Sequence, residues 1–213
     1  KVSYCPHYSR VFYDPEKTQA KILQGLESVV TFMDTGAAKK LGSDIIHKAT
    51  YPHKLKDKLA WLDKLIEMDC DLTCDIEGFS LKHFDAGVGT ITFCWNQHEG
   101  IAFEVDNTRT KAEDPVIRQA LKSFFYRFQK SGRKMIYHNI CYDAYVLIYQ
   151  LFMDHILDQE GLLEGLDVML SDFEDTQIIT YLATNSCAGN ELGLKAQAQE
   201  FAGNYAVEDI KDI

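Results

Sequence analysis

Apolar residues follow two different spacings in alternation along this chain, and each spacing predicts one type of element. Between residues 51 and 68, leucines and one isoleucine recur at helical intervals, which predicts an amphipathic helix. Residues 70–79 instead alternate polar and apolar side chains, as a half-buried strand does. Residues 89–97 and 100–107 continue that alternation on either side of a short polar turn. We therefore expect a helix followed by a meander of three strands.

The second half of the chain predicts helices that alternate with short strands. Residues 114–132 predict a helix with Asp114 as its N-cap, Pro115 as its first residue and Gly132 at its end. The other expected elements are a strand at 134–139, a helix at 141–157, a fifth strand at 167–173, and helices at 175–185 and 192–203. Strands and helices in this order indicate an α/β domain.

The N-terminal part of the chain has a different pattern. Residues 14–33 predict an amphipathic helix with Asp14 as N-cap and Pro15 at the first helical position, and residues 34–50 predict a short helix or a loop. We therefore expect an N-terminal helical segment at residues 1–53 and an α/β domain at residues 54–213. The domain is expected to contain a mixed sheet of about five strands flanked by helices.

Composition limits the class of protein. Hydrophobic residues make up 46% of the 213 residues, enough for a full core, and no apolar run is long enough to span a membrane. The first residues lack the apolar region of a signal peptide. The six cysteines form no C-x-x-C pair and have apolar neighbours. We therefore expect reduced thiols, a cytoplasmic location and no zinc site.

The net charge of −10 argues against a free-standing nucleic-acid-binding protein, because such proteins are usually basic. Two alternatives stay open. Divalent cations held by clustered carboxylates would reverse the sign of the charge locally. A basic partner, or a domain beyond this sequence, would supply the positive surface instead.

Two carboxylates stand at the end of the first predicted strand. Asp75 and Glu77 are two positions apart, so both side chains lie on the same face, and Gly78 ends the strand. In open α/β sheets, ligands bind beyond the carboxyl ends of the strands. Two neighbouring carboxylates repel each other unless a cation lies between them, and oxygen ligands suit Mg²⁺ or Mn²⁺. The alternative is a pair of solvated acids at a strand end.

Further acids lie beside two later strands. Asn139 and Asp143 follow the strand at 134–139, and Asp143 lies in the first turn of the next helix, near the end of that strand. Compensation of the positive helix N-terminus is the alternative explanation for Asp143. For Asp175, which precedes an apolar-periodic helix, we favour a structural N-cap.

Three segments resemble, in order and spacing, the 3′–5′ exonuclease domain of family A DNA polymerases. Residues 75–93, DIEGFSLKHFDAGVGTITF, resemble the first motif of that domain. Residues 138–147, HNICYDAYVL, resemble the second motif, N-x-x-Y-D, and residues 174–203 resemble the segment that follows. The similarity runs from about Lys54 to the C-terminus and is greatest to bacteriophage replicative polymerases and the bacterial repair polymerase. It implies the RNase H-like fold of DEDD 3′–5′ exonucleases.

The resemblance implies roles for individual residues. Asp75, Glu77 and Asp143 match three of the four metal ligands. Other matched positions contact the substrate strand or shape the site; these are Gly78, Phe79, Leu81, Asn139 and Tyr142. Leu81 matches a leucine that wedges beside the terminal base, whereas Gly78 replaces the usual threonine. Phe79, Leu81, His83 and Phe84 form either a base-stacking loop or ordinary packing.

The third motif of the family, Tyr-x-x-x-Asp, has one match in this chain. Tyr205 and Asp209 fit its letters, but they follow the preceding helix more closely than in the family. Either Asp209 is the fourth metal ligand and Tyr205 orients the attacking water, or the motif lies beyond Ile213 in a longer polymerase.

The expected function is therefore removal of 3′-terminal nucleotides from DNA with two divalent ions, as the proofreading part of a replicative polymerase. Expected partners are a single-stranded primer end, the rest of the polymerase and replication proteins, in the cytoplasm of a host cell if the protein is viral. Two alternatives stay open: a free-standing DEDD nuclease that trims RNA 3′ ends, and an inactive exonuclease-like scaffold. Five basic residues are either phosphate contacts or a solvated surface: Arg109, Lys111, Lys130, Arg133 and Lys134.

Overall fold

A computed structural model describes residues 6–13, 15–36, 48–106, 111–184 and 191–202 of the chain. The chain divides into two compact units, one formed by Lys1–Ser43 with Ala202–Ile213 and the other by Asp44–Phe201.

The first unit contains two described helices. A short 3-10 helix spans Tyr8–Phe12, and helix α1 spans Pro15–Thr35, which confirms the helix predicted at 14–33. Asp14, predicted as the N-cap of α1, lies outside the described residues. Several large apolar side chains of these two helices are exposed, whereas Thr18 is buried.

The second unit contains six strands and seven helices in the described ranges. The strands are β1 (Lys48–Thr50), β2 (Leu72–Glu77), β3 (Thr90–Cys94), β4 (Glu99–Glu104), β5 (Met135–Tyr137) and β6 (Phe173–Asp175). The helices are α2 (Leu55–Glu67), α3 (His83–Ala86), α4 (Asp114–Lys130), α5 (Ile140–Phe152), α6 (Gln159–Met169), α7 (Thr176–Ala183) and α8 (Leu194–Ala202).

The six strands form one mixed sheet in the order β1-β4-β3-β2-β5-β6. The meander β2-β3-β4 is antiparallel, as the sequence predicts, with Asp75 opposite Thr92 and Glu77 opposite Thr90. Strands β5 and β6 are parallel to β2 and to each other, and β1 is parallel to β4. The carboxyl ends of β2, β5 and β6 therefore lie at the same edge of the sheet.

The sheet differs from the expected one at both outer strands. Residues 167–173 do not form a fifth strand, because Asp167–Met169 close helix α6 and only Phe173–Asp175 are extended. Val168 and Met169 are buried on that helix, so the apolar run that suggested a strand is a helix face. At the opposite edge, residues 34–50 include strand β1, where only a short helix or a loop was expected.

The core lies against one face of the sheet. Along β2 the buried residues Leu72, Cys74 and Ile76 alternate with exposed neighbours, as the period-2 pattern predicts. Phe93 of β3 packs edge-on against Phe124 of α4, with ring centroids 5.0 Å apart. All four cysteines in the described ranges, Cys70, Cys74, Cys94 and Cys141, are free thiols.

Arg133 ties the end of helix α2 to the start of β5. Its side chain is buried and donates to four backbone carbonyls and one hydroxyl: Leu65 O, Ile66 O, Met68 O, Cys70 O and Ser131 Oγ. The guanidinium also lies over the Phe128 ring, 4.6 Å from its centroid. The positive charge therefore satisfies the carbonyls at the C-terminus of α2, which the helix itself leaves unpaired. Arg133 is neither a phosphate contact nor part of a solvated surface.

We predict that Arg133→Met lowers the free energy of unfolding by about 3 kcal/mol, because it leaves several buried carbonyls without donors. Urea denaturation followed by circular dichroism measures this loss. Arg127→Met is the matched control, since Arg127 pairs with Asp63 at the exposed surface and should cost less than about 1 kcal/mol. Equal losses in the two variants would contradict the structural role of Arg133.

Candidate active site

Asp75 and Glu77 lie at the carboxyl end of β2 with both side chains exposed on the same face, while Ile76 between them is buried on the other. The chain then leaves the sheet at Gly78. The loop that follows is closed by a hydrogen bond from the Phe79 N–H to the Ala86 carbonyl, 2.7 Å, and by one from the Gly89 N–H to the Glu77 carbonyl, 2.7 Å.

Asp143 reaches this strand from helix α5. Its Oδ1 accepts a hydrogen bond of 3.1 Å from the N–H of Ile76, the residue between Asp75 and Glu77. The Leu72 N–H faces β5, where it donates to the Lys134 carbonyl, and the N–H of Ile76 faces the same side by alternation. Because β5 ends at Tyr137, the Asp143 carboxylate takes the place of the next strand carbonyl. Three predicted site residues from two separate segments are thus brought together.

Negative charges face one another at this edge. Burial and, after it, the charge of Asp75 raise the pKa of Asp143 to about 7, against the hydrogen bond from Ile76, which lowers it. Partial desolvation, followed by the charge of Glu77, also raises the pKa of Asp75, and His138 opposes this effect. A cation at this edge would relieve the repulsion between the carboxylates.

The carboxylates supply the oxygen ligands that Mg²⁺ and Mn²⁺ prefer. In the described ranges, however, no three His, Cys, Asp or Glu side chains are already arranged to hold one metal ion. Asp143 is held by Ile76, whereas Asp75 and Glu77 are exposed at the strand end. The donor set therefore fits a divalent cation in its chemistry, and shared binding requires new rotamers of the two exposed side chains.

Tyr142 explains the glycine at position 78. Its hydroxyl donates to the Ser80 carbonyl at 2.8 Å and so holds the loop after β2 against α5. A Cβ built on Gly78 would lie 2.5 Å from that hydroxyl oxygen and 3.3 Å from the Cβ of Ala86. A threonine at this position would have to displace the Tyr142 side chain. This contact accounts for the glycine at position 78, where the motif that the sequence resembles has a threonine.

The two apolar residues predicted to contact substrate project from the same loop. Phe79 is 68% exposed and Leu81 is 92% exposed. The Phe79 ring lies over the backbone at Gly87 and Gly89, where a Cβ would approach it to 3.2 Å in each case. Neither side chain belongs to the core, which rules out ordinary core packing for this pair.

The start of α5 is positioned by Asp175. Asn139 has φ +60 in the left-handed region, and its N–H and that of Ile140 donate to the Asp175 carboxylate at 3.1 and 2.9 Å. The same carboxylate caps α7 by accepting from Gln177 N at 2.8 Å and from Ile178 N at 3.3 Å. Burial opposes ionisation of Asp175, but these four hydrogen bonds together lower its pKa.

The structural N-cap expected for Asp175 is therefore confirmed, and its second role at α5 was not predicted. Asp175 lies far from Asn139 along the chain, so only the pairing of β5 with β6 brings them together. His138 is hydrogen-bonded through Nδ1 to Thr176 Oγ1 at 2.9 Å, as expected of a histidine at a strand end. Tyr205 and Asp209 lie outside the described residues.

Comparisons with known proteins identify the fold. No family model matches the sequence, and a search of curated proteins gave no significant match. The RNase domain of the yeast Pop2 protein has a TM-score of 0.50 at 12% identity, over 75% of this chain and 82% of that one. The structure of the yeast NOT1 MIF4G domain co-crystallised with CAF1 has a TM-score of 0.50 at 13% identity, over 72% and 78%.

A third similar structure, S. pombe Pop2p in its Mg²⁺- and Mn²⁺-bound form, has a TM-score of 0.47 at 12% identity, over 71% of this chain and 81% of that one. At these identities the similarity concerns the fold alone. The expected fold is confirmed: a mixed sheet flanked by helices, of the RNase H-like type. None of the helices in the described ranges has both the length and the apolar composition needed to cross a bilayer.

The raised pKa of Asp143 predicts how stability depends on pH. Between about pH 4 and pH 7, the folded metal-free protein keeps a proton on Asp143 that the unfolded chain has lost, so stability falls as pH rises through this range. In EDTA near pH 8, Asp143→Asn should therefore be more stable than the wild type by a few kcal/mol, at about 1.4 kcal/mol per pKa unit. Near pH 4 the two should be equal. Urea denaturation checks this, and an identical difference at both pH values would contradict it.

Loss of the Asp175 carboxylate should lower both the stability of the fold and the affinity of the candidate site for Mn²⁺. Asp175→Ala leaves four N–H groups without their acceptor, so we expect a loss of about 2–3 kcal/mol in the free energy of unfolding. Calorimetry should also show weaker Mn²⁺ binding, because the first turn of α5 carries Asp143. Asp158→Ala is the matched control, since Asp158 caps α6 and accepts from the Asp154 N–H but makes no hydrogen bond to the first turn of α5. Equal weakening of Mn²⁺ binding in both variants would refute a positioning role for Asp175.

Proposed function

We propose that this protein is a metal-dependent 3′–5′ exonuclease that hydrolyses the terminal phosphodiester bond of a single-stranded nucleic acid. The observation that carries the proposal is the hydrogen bond that the Asp143 carboxylate accepts from Ile76, the residue between Asp75 and Glu77. A carboxylate from a different segment thus joins a pair that already shares a strand face. The fold, which is also that of the RNase domain of the yeast Pop2 protein, supports nuclease activity.

In this proposal, Asp75, Glu77 and Asp143 hold Mg²⁺ or Mn²⁺, Asp209 is the candidate fourth ligand, and Tyr205 is the candidate for orienting the attacking water. Divalent ions at such a site lower the pKa of an attacking water and neutralise the leaving oxygen. The Ile76 N–H fixes the orientation of Asp143, and the exposure of Asp75 and Glu77 lets them turn toward a shared ion.

The surrounding residues receive the terminal nucleotide. Phe79 and Leu81 project from the loop after β2 and offer apolar surface to a base. Tyr142 keeps that loop close to the carboxylates through its bond to Ser80. Asn139 is exposed at the N-terminus of α5, where its side chain is free of any capping bond to the helix.

RNA is the substrate that we favour, because the RNase domain of Pop2 has this fold over three-quarters of the chain. DNA is the second candidate, since the motifs at residues 75–93 and 138–147 resemble those of proofreading domains. In the second case the chain acts within a polymerase and meets replication proteins there.

Hydrolysis of matched oligonucleotides tests the function. With Mn²⁺, the purified chain should shorten 5′-labelled single-stranded RNA stepwise from the 3′ end and release nucleoside 5′-monophosphates, and a 3′-blocked oligonucleotide should resist. Asp75→Ala should lower the rate at least about a thousandfold, which corresponds to about 4 kcal/mol of barrier. Glu160→Ala, which removes an exposed acid from α6, should leave it unchanged.

Faster hydrolysis of DNA than of RNA of the same sequence would favour the proofreading role. Equal activity of the wild type and Asp75→Ala would refute the assignment of the site. Absence of hydrolysis, with Mn²⁺ binding that depends on Asp75, would support the scaffold alternative.

A further inference from the structure

An aromatic surface formed by side chains of α3 and α5 lies on the two helices that follow the candidate carboxylates along the chain, α3 after Glu77 and α5 from Asp143 onward. The large side chains exposed there, besides Phe79 and Leu81, are Phe84 on α3, which is 42% exposed, and Tyr145 on α5, which is 59% exposed. Exposed apolar side chains that cluster in this way commonly mark a binding surface.

One face of helix α5 carries the tyrosines of this surface. Tyr142, Tyr145 and Tyr149 are spaced three and then four residues apart, so they form a single stripe along the helix. The stripe begins beside Asp143 and extends for about 10 Å, at a rise of 1.5 Å per residue. Asp143 itself points from the same first turn toward β2.

His83 holds the exposed rings in place. Its ring packs at 5.5 Å against Phe84, at 5.7 Å against Tyr145 and at 5.8 Å against Tyr149, measured between ring centroids. The His83 carbonyl also accepts a hydrogen bond from the side chain of Gln150 on α5. Helices α3 and α5 therefore present Phe84 and Tyr145 as a fixed pair.

We propose that Phe84 and Tyr145 form a stacking surface for the bases that precede the nucleotide being removed. The inference rests on the proposed function, because it places a substrate strand at the carboxylates. From Glu77 the chain runs through the exposed loop to His83 and Phe84, which meet α5 just beyond Asp143. A strand whose terminal phosphate lies at the carboxylates thus has this surface within reach of its next bases.

The chemistry of the surface selects single strands without reading sequence. Bases in a duplex already stack on each other, whereas unpaired bases gain a partner on an exposed ring. Every base has a π-face, so such a surface accepts any sequence. The ligand class is therefore an unpaired 3′ end of about three or more nucleotides.

Substrates of different length test the proposal. With Mn²⁺, Phe84→Ala and Tyr145→Ala should each raise KM for a single-stranded octanucleotide roughly tenfold or more, with kcat little changed. For a dinucleotide, which has a single base before the nucleotide being removed, the increase in KM should be much smaller. Tyr145→Trp should keep the octanucleotide KM, because stacking needs the ring and not the hydroxyl.

Tyr51→Ala is the matched control, since Tyr51 is 63% exposed and follows β1 at the far edge of the sheet. It should leave KM unchanged for both substrates. Unchanged octanucleotide KM in both Phe84→Ala and Tyr145→Ala would overturn the proposal and make protein docking the better explanation. Equal effects on the dinucleotide and the octanucleotide would also overturn it, because they would indicate damage to the carboxylate site.

Binding separates failure of this inference from failure of the proposed function. Fluorescence anisotropy of a labelled octanucleotide in EDTA needs no hydrolysis. Suppose that the wild type binds the octanucleotide without hydrolysing it, and that each alanine variant binds it roughly tenfold more weakly. The stacking surface is then supported and the proposed nuclease activity is refuted. If the wild type hydrolyses the octanucleotide and both variants bind it with wild-type affinity, the nuclease activity is supported and the stacking surface is refuted. No binding by the wild type would refute the surface.

Discussion

The hydrogen bond from the Ile76 N–H to the Asp143 carboxylate holds the candidate site together. It exists because two neighbouring parallel strands end at different heights: β2 continues to Glu77, whereas β5 stops at Tyr137. The longer strand is left with an N–H that has no strand partner on that side, and a buried donor without an acceptor is costly. Asp143 satisfies it and is thereby fixed beside two other carboxylates. One side chain therefore both pairs a buried backbone N–H and brings a third carboxylate to the end of β2.

That bond depends in turn on where helix α5 begins. The turn between β5 and α5 needs a left-handed residue, which Asn139 provides, and asparagine tolerates this conformation better than most residues do. Asp175 then binds the first N–H groups of α5 while it caps α7. One carboxylate at the end of β6 therefore sets the start of two helices. The position of Asp143 thus follows from the hydrogen bond that it accepts from Ile76 and from those that Asp175 accepts at the start of α5.

Features that depend on local periodicity could be predicted from the sequence. The shared face of Asp75 and Glu77 follows from strand geometry, and the meander and the main helices follow from apolar spacing. Features that depend on distant partners could not. Val168 and Met169 suggested a strand because a short apolar run looks alike in a strand and on a helix face. Arg133 looked like a surface cation, since the carbonyls that bury it belong to α2, more than sixty residues earlier in the chain. The hydroxyl of Tyr142, which would have to move to admit a side chain at Gly78, is equally remote in sequence.

An acidic protein with acidic residues at its site cannot attract a nucleic acid by its own charge. The net charge of −10 and the carboxylates at the end of β2 both repel phosphates over the range of the Debye length. Two kinds of interaction remain that do not need a basic surface. Cations bound by the carboxylates would reverse the sign of the charge locally, and stacking of bases on exposed rings does not depend on charge. The aromatic surface and the carboxylates would therefore bind different parts of the same strand. In the proposed function, the aromatic surface would hold the bases of a strand, and the carboxylates would engage the end of that strand once they carry cations.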